Sequence, residues 1–242
     1  MSLKRLKSLK YLMVILALAS SASGEPSPEK LNLVGHARKN GKDLYVERTK
    51  STLKNGKIDT TNTQFVSPDG KLLAEMKSKS SIHPYLPDIE FNDSRDGYSY
   101  TVRTVVQGEI EIRIKESTND EWVTKPLVKF KKDMIVIQSI LDFAHDHIDD
   151  IVKGEKIVAS FLIPSKATDY AMRIGLAHAG KVSALNDKVV DLTVESNNWV
   201  LRNTKVFPPI NLTYDSGHHR LRKFSGISTI MAELGTIEVD FD

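Results

Sequence analysis

The sequence predicts a mainly β protein, in which a curved antiparallel sheet of about ten strands forms an incomplete barrel that wraps one amphipathic helix. Three observations predict this fold class. Turn signals recur at short intervals in the amino-terminal half, several segments alternate apolar and polar residues, and one segment has the spacing of a helix. The 242 residues are enough for a full hydrophobic core and can form one all-β domain.

The first 22 residues are typical of a secretory signal peptide. The apolar run YLMVILALA is followed by the small residues SSASG and is preceded by four basic residues, Lys4, Arg5, Lys7 and Lys10. The run is too short to cross a bilayer, which takes roughly 20 apolar residues. We therefore expect export to a bacterial periplasm, with cleavage near Ala19 or Ala22.

The rest of the chain is expected to be a linker, residues 23–30, and one β-rich half-barrel domain, residues 31–242. Four of the 34 basic residues lie in the signal peptide, which leaves 30 basic against 31 acidic residues. Because no basic patch with interleaved aromatic residues remains, nucleic acid is not an expected partner. The chain has no cysteine, so it lacks disulfides and the lipid-bearing residue of a bacterial lipoprotein, and no stable membrane anchor is expected.

Three turn signals divide the segment that begins at Leu31 into consecutive hairpins. They are Asn40-Gly41, Asn55-Gly56 and Pro68-Asp69-Gly70. Asn-Gly supplies the positive φ values that two-residue hairpin turns require. The spacing predicts four antiparallel strands in this part of the chain.

Alternation with a period of two indicates strands further along. EIEIRIK places Ile110, Ile112 and Ile114 on one face and charged residues on the other. The same period occurs in YSYTVRTV, KIVASFLIP, DYAMRIGLA and VVDLTV, and two more strands are expected within residues 218–242. One apolar face per strand is typical of antiparallel strands that cover a core on one side.

One segment, Met134 to Lys153, has helical spacing instead. Its apolar residues recur at three- and four-residue steps and form one stripe, which comprises Ile137, Leu141, Ala144, Ile148 and Ile151. Gly154 is expected to end the helix.

The helical stretch DFAHDHIDDIVKG concentrates two histidines and four aspartates in thirteen positions, which raises the question of a metal site. At about 100° per residue, His145 and His147 fall on opposite sides of the apolar stripe and cannot bind one ion. Asp142, His145 and Asp149 share one flank and could form only a weak, open site. We expect the solvated face of a helix here, without a metal.

The segment NDSRDG resembles the start of a calcium-binding loop. Asn92, Ser94 and Asp96 occupy its first three ligand positions, but Arg103 replaces the glutamate at the twelfth and a strand pattern begins at Tyr98. A polar turn that enters a strand is the expected structure.

Other residues offer weak signals for catalysis. Four acidic residues could serve a hydrolase, namely Asp88, Glu90, Asp93 and Asp96. His218 and His219 would point to opposite faces of a strand and would not bind one ion together. The sequence has no nucleophile elbow, phosphate-binding loop or H-E-x-x-H motif, so it indicates no catalytic residue, cofactor or metal site.

Several motifs resemble those of uncharacterised bacterial periplasmic proteins, which are similar in turn to the lipoprotein-carrying half-barrels LolA and LolB. They are the stretch from DFAHDHIDDIVKG into FLIPSKATDYAMRI, the later RLRKFSGIS, and FNDSRDGY upstream. The resemblance covers about half of the chain beyond the signal peptide. It implies an incomplete antiparallel barrel that encloses a helix and leaves an apolar cavity.

The sequence therefore predicts a periplasmic protein that binds or carries a lipid or another hydrophobic ligand. The expected ligand surface consists of residues on one face of three successive strands, namely Phe161, Ile163, Tyr170, Met172, Ile174, Val190, Leu192 and Val194. Two alternatives stay open: an envelope scaffold or interaction protein without a small ligand, and a secreted hydrolase. The sequence names no protein partner.

Overall fold

The computed structural model describes residues 30–55, 57–105, 108–177, 189–203, 208–215, 220–228, 230 and 235–242. The expected signal peptide and nearly all of the linker lie outside the described residues, as do His218 and His219. Within the described residues the chain forms sixteen strands, three short α-helices and two 3-10 turns.

The strands are β1 (Lys30–Lys39), β2 (Lys42–Lys54), β3 (Lys57–Val66), β4 (Leu72–Lys79), β5 (Asp88–Asp93), β6 (Ser99–Val105), β7 (Glu109–Lys115), β8 (Val123–Thr124), β9 (Val128–Lys129), β10 (Met134–Val136), β11 (Ile157–Ile163), β12 (Thr168–Leu176), β13 (Val189–Ser196), β14 (Ile210–Asp215), β15 (Leu221–Ile227) and β16 (Thr236–Phe241). The helices are α1 (Ile140–Asp146), α2 (Ile148–Val152) and α3 (Trp199–Asn203), and the 3-10 turns are Ile137–Ser139 and Pro164–Lys166.

All sixteen strands belong to one sheet. Its path runs from β10 through β11 to β16, continues with β1 and ends at β8, while β9 pairs with β7. Every pair is antiparallel except β10 with β11. No pairing within the described residues joins β10 to β8, so the sheet is the open, mainly antiparallel barrel that the sequence predicts.

The strand count of sixteen corrects the expected ten. Three of the additional strands, β8, β9 and β10, have only two or three residues each, which is too short to establish a period of two. The three turn signals of the amino-terminal part are confirmed: they connect β1 to β2, β2 to β3 and β3 to β4. Asn40 and Asn55 have the expected positive φ values, 51° and 54°.

The helix is shorter than predicted and begins later. Met134–Val136 form β10, a 3-10 turn follows, and α1 begins only at Ile140. His147 then interrupts the helix between α1 and α2. A buried apolar segment such as MIVI has no polar face, so its sequence cannot distinguish a strand from the first turn of a helix.

Two hydrophobic clusters fill the inside of the sheet. In the first, which we call the helix-side cluster, α1 and α2 pack through Ile140, Phe143, Ala144, Ile148 and Ile151 onto the inner side chains of β11 to β15. The second, which we call the strand cluster, lies on the inner face of β1 to β7. Phe224 and Phe241 contact both clusters and thereby join them.

The β10–β11 edge is buried on both of its faces. Ile135 and Phe161 belong to the helix-side cluster, whereas Met134, Val136 and Leu162 belong to the strand cluster. This edge of the sheet therefore lies inside the curve that the other strands make. It lies between the helices α1 and α2 on one side and the strands β5, β6 and β7 on the other.

No helix among the described residues combines the length and the hydrophobicity that crossing a lipid bilayer requires.

Candidate ligand cavity

A cavity of about 560 Å³ lies between the inner face of β1 to β4 and the segment that leads into α1. Side chains of β15 and β16, among them Phe224 and Phe241, complete its wall. Small-molecule sites commonly have volumes of about 300–1,000 Å³, so the space is sufficient for a ligand.

One wall of the cavity consists of polar side chains from β2. Alternation along the strand directs Glu47, Thr49 and Ser51 to the inner face, where they line the cavity. The residues between them, Arg48 and Lys50, are exposed on the outer face. The inner face of β2 is thus polar at positions where a half-barrel would ordinarily carry core residues.

The neighbouring strand β3 extends the polar wall. Thr63 lies opposite Thr49 and Thr61 lies opposite Ser51 in the sheet register. The Oγ atoms are 2.9 Å apart in the first pair and 3.1 Å apart in the second. These hydrogen bonds form two successive rungs of hydroxyl groups along the cavity.

The rest of the wall is largely apolar. Met76 of β4 lies opposite Thr63 and continues the row of inner side chains away from the hydroxyl groups. Ile137, Ile140 and Leu141 approach from the other side, at the start of α1. The cavity therefore has one hydrogen-bonding side and one apolar side.

Glu47 is a partly buried charged group of the polar wall. It stands opposite Phe65, whose side chain is 2 % exposed, and opposite Gly35 on β1. Among the described residues its carboxylate has no hydrogen-bond or ion-pair partner. Burial raises the pKa of Glu47 to about 7, because the surrounding protein atoms disfavour the ionised form.

A second polar group near the cavity has an unused acceptor. The Nε2 atom of Gln138 donates a hydrogen bond of 2.9 Å to the Tyr100 hydroxyl. Its Oε1 atom is buried and has no hydrogen-bond partner within the described part of the chain. A buried amide oxygen without a donor is energetically unfavourable, so Gln138 reduces stability at the cavity wall.

Asp142 adds a second carboxylate that is partly removed from water. It lies on α1 and lines the cavity. Burial and the neighbouring Asp146 raise the pKa of Asp142, and His145 opposes that effect. Asp59 also contributes a carboxylate to the wall, and Arg220 contributes the one cationic side chain among the described lining residues.

Apolar residues lie where the cavity meets solvent. Leu31 on β1 is 49 % exposed and Ile58 on β3 is 39 % exposed, and both line the cavity. Leu31 pairs with Ser51 and Ile58 pairs with Leu53, so both flank the carboxyl-terminal end of β2. They mark the side from which an apolar molecule could enter.

The fold has a similar solved structure. A β-barrel-like protein of the domain of unknown function DUF1849 from Brucella abortus aligns with a TM-score of 0.50. The alignment covers 89 % of this chain and 95 % of that chain, at 8 % sequence identity. The chain shares a barrel-like fold with that protein. No family model and no curated protein matches the chain.

The predicted ligand residues lie under the helices, apart from this cavity. Phe161, Met172, Ile174, Leu192 and Val194 are buried in the helix-side cluster. Tyr170 and Val190 are partly buried and pack against that cluster. These seven side chains lie together on one surface, as the alternation predicts, and none of them lines the cavity.

The eighth predicted residue, Ile163, lies at the end of β11 and is partly buried. It belongs neither to the helix-side cluster nor to the cavity wall. A contact of these eight residues with a ligand stays a prediction.

The histidines of the helix occupy different environments. His145 is exposed, with its Nδ1 atom 3.5 Å from Asp146. The ring of His147 packs against Phe143 at a centroid distance of 4.5 Å. In the described ranges, no three histidine, aspartate or glutamate side chains are arranged to hold one metal ion.

The resemblance of NDSRDG to a calcium-binding loop has a structural explanation. The segment forms the tight turn between β5 and β6, in which Asp93 binds the Arg95 guanidinium. Asp96 accepts a hydrogen bond of 2.9 Å from the backbone N–H of Tyr98. The acidic residues therefore stabilise a turn, as the sequence predicts.

The acids considered for a hydrolase each have a separate protein partner. Asp88 accepts a hydrogen bond of 3.2 Å from the backbone N–H of Thr104, and Glu90 binds Arg103. Glu90 is exposed on the outer face of the sheet. The structure does not bring these acids together in the cavity.

The polar wall was not predicted, because an apolar face identifies the strands and this wall lacks one. The segment ERTKST nevertheless indicates this wall. Glu47, Thr49 and Ser51 alternate there with the basic residues Arg48 and Lys50. Arginine and lysine are almost never buried without a partner, so the set with Arg48 and Lys50 had to face solvent. Because neighbouring side chains of a strand point to opposite faces, Glu47, Thr49 and Ser51 then point to the inside.

Proposed function

We propose that this protein binds an amphipathic, lipid-like molecule in the cavity between β1 to β4 and α1, and carries it in a bacterial periplasm. The observation that carries the proposal is the division of the cavity wall. Hydroxyl groups and a carboxylate form one side, and apolar side chains form the other. The polar part of an amphipathic molecule can contact the first side, and its apolar part can contact the second.

Packing alone gives no reason for the polar wall. Thr49, Thr63 and Ser51 occupy inner positions at which valine or isoleucine would pack a core without hydroxyl groups. A carboxylate such as that of Glu47 is costly to bury without a partner. Groups that reduce stability are common where a protein binds a ligand, because the ligand supplies the missing interactions.

The compartment rests on the amino-terminal signal and on the resemblance to carriers. Residues 1–22 have the basic, apolar and small-residue regions of a signal peptide. The motif resemblance to LolA and LolB supports a half-barrel that encloses a hydrophobic ligand. The similar barrel-like structure supports the fold of that proposal.

Ligand binding can be tested by filling the cavity. The uncharged fluorescent probe N-phenyl-1-naphthylamine should bind the full chain saturably, and Thr49→Phe should weaken this binding roughly tenfold or more, equal to about 1.4 kcal/mol. The matched control is Lys50→Phe, which adds the same ring to the outer face of the same strand. Absence of saturable binding by the wild type would favour the alternative of a scaffold protein.

Export can be tested separately. Bacteria that express the full chain should contain a product in the envelope fraction whose intact mass corresponds to cleavage after Ala19 or Ala22. Replacement of Leu16 and Leu18 by arginine should abolish cleavage, because it removes the apolar run that the export machinery recognises. An uncleaved wild-type product in the cytoplasm would overturn this part of the proposal.

A further inference from the structure

The hydrogen-bonding groups of the cavity are mostly acceptors. Glu47 has no donor among the described residues, and Gln138 has a buried, unpaired Oε1 atom. In each hydroxyl rung, Thr49 with Thr63 or Ser51 with Thr61, one hydrogen is used within the pair and the other can be donated, so the rungs can both donate and accept. A ligand that satisfies the Glu47 carboxylate must therefore bring a donor.

The charges of the wall favour a cation. Three of the four charged side chains that line the cavity among the described residues are carboxylates, those of Glu47, Asp59 and Asp142. The one guanidinium, that of Arg220, belongs to an exposed residue before β15. An anionic head group would face the unpaired Glu47 carboxylate, which costs free energy in a site removed from water.

The arrangement suits an organic cation better than a metal ion. A divalent ion needs several oxygen or nitrogen ligands around one point. Across the described residues, no group of three acidic or histidine side chains is placed to provide them. One carboxylate beside apolar side chains and amide or hydroxyl oxygens fits an ammonium group, which donates hydrogen bonds in several directions.

We propose that the ligand is an amphiphile with a protonated amine as its head group, held at Glu47, with its apolar chain directed along β2 toward Leu31 and Ile58. This inference rests on the proposed function and specifies its ligand class. Glu47 and Ser51 are four residues apart on one strand, a separation of about 13 Å, which gives the chain a path to solvent. Ile137, Ile140 and Leu141 supply the apolar side of that path.

The test compares three ligands with the same ten-carbon chain, decylamine, decanol and decanoate, by calorimetric titration of the full chain below their micellar concentrations. One charge-assisted hydrogen bond changes affinity by roughly tenfold to a hundredfold. Decylamine should therefore bind at least about tenfold more tightly than decanoate, with decanol between them. This comparison uses the wild-type protein alone and needs no variant to fold.

Two variants assign the preference to Glu47. Glu47→Gln should bring decylamine and decanoate to within about threefold of each other while decanol binding is little changed. Glu75→Gln is the control, because Glu75 lies on the neighbouring strand β4, binds Lys77 and does not line the cavity. It should retain the wild-type preference.

The outcomes separate the two proposals. Equal or tighter binding of decanoate by the wild type, or an unchanged amine preference in Glu47→Gln, would overturn the amine head group and leave the ligand cavity standing. Binding of none of the three compounds would overturn the cavity as a ligand site, and the amine proposal with it.

Discussion

Glu47 of β2 stands directly opposite Phe65 of β3, so a carboxylate without a partner among the described residues lies beside a ring that is 2 % exposed. The pairing places a charged group at a depth where the sheet otherwise carries core side chains. Burial raises the pKa of Glu47 to about 7. The protonation of this one residue should therefore make stability depend on pH.

Replacement of Glu47 by glutamine should stabilise the protein at pH 8. The ordinary pKa of a glutamate is 4.5 and the pKa of Glu47 in the fold is about 7, so the folded protein favours the protonated form. Its contribution to stability is intact below pH 4.5, falls as the pH rises toward 7, and then stays at its lowest value. The Glu47→Gln variant should gain up to about 3 kcal/mol over the wild type at pH 8 and little at pH 4.5.

Denaturant unfolding at the two pH values measures this difference. Glu75→Gln is the matched control, because hydrogen bonds from Lys77 and Asn62 lower the pKa of Glu75. That variant should lose stability at pH 8, the opposite sign. A Glu47→Gln variant less stable than the wild type at pH 8 would mean that Glu47 has a stabilising partner.

Decylamine binding should strengthen as the pH rises from 6 to 8. The amine stays protonated over this range, since its pKa is close to that of lysine, about 10.4. The ionised fraction of Glu47 rises through its midpoint near pH 7, so the affinity should increase by roughly tenfold. Other charged or titratable groups that face Glu47 or line its cavity are Tyr45, Asp59, Asp142 and Arg220.

Glu47→Gln separates the contribution of Glu47 from the contributions of those groups. Titrations at pH 6, 7 and 8 should give this variant a nearly constant amine affinity. A pH dependence equal to that of the wild type would assign the effect to Asp142, whose pKa is also raised by burial.

Ile174→Ala should destabilise the protein without weakening probe binding. Ile174 is fully buried in the helix-side cluster, opposite Val194, and does not line the cavity. Removal of its side chain leaves a void and should cost about 2–5 kcal/mol in the free energy of unfolding. The control is Val158→Ala, because Val158 lies on the adjacent strand and is 45 % exposed; its cost should stay below about 1 kcal/mol.

The same measurement distinguishes the two surfaces on which a ligand could bind. A small loss of stability together with altered binding of N-phenyl-1-naphthylamine would locate the ligand under the helices, on the surface that the sequence predicts. Unchanged probe affinity together with a large loss of stability would identify that surface as packed core.

The predictable parts of the fold are those encoded within single strands and turns. Ile110, Ile112 and Ile114 are at most 1 % exposed, because a period of two assigns every second side chain to the core. Asn40 adopts the positive φ value that its turn requires. These features depend on residues that are neighbours in the sequence, so one sequence is enough to predict them.

The remaining features depend on contacts between distant residues. Met134 and Ile135 face different clusters because the β10–β11 edge lies inside the curved sheet, and only the complete fold puts protein on both sides of it. Glu47 lies on an inner face that ordinary patterning reserves for apolar residues. Glu47 points inward because its neighbour Arg48 faces solvent and successive side chains of a strand point to opposite faces.

Gly97 lies in the turn between β5 and β6, whose sequence resembles a calcium-binding loop. Gly97 has a φ of 84°, and a Cβ atom there would overlap Thr118 Oγ1 and would lie 2.5 Å from the Thr118 backbone nitrogen. The two chain segments are held together by the hydrogen bond of 3.0 Å that the Thr118 N–H donates to the Asp96 carbonyl. The glycine is thus required by a close backbone approach, which explains its position without a metal ion.

Gly97→Ala should therefore destabilise the protein more than the same change at a turn with free space. Gly70 is the matched control: its φ is 89°, and a Cβ atom there would have no neighbour within 4 Å. Gly70→Ala should cost about 1–2 kcal/mol for the left-handed conformation alone. Gly97→Ala should cost at least about 2 kcal/mol more, since the Thr118 backbone must move and its hydrogen bond to Asp96 is lost. Denaturant midpoints of the two variants measure the difference; equal costs would show that the turn and the Thr118 segment separate freely.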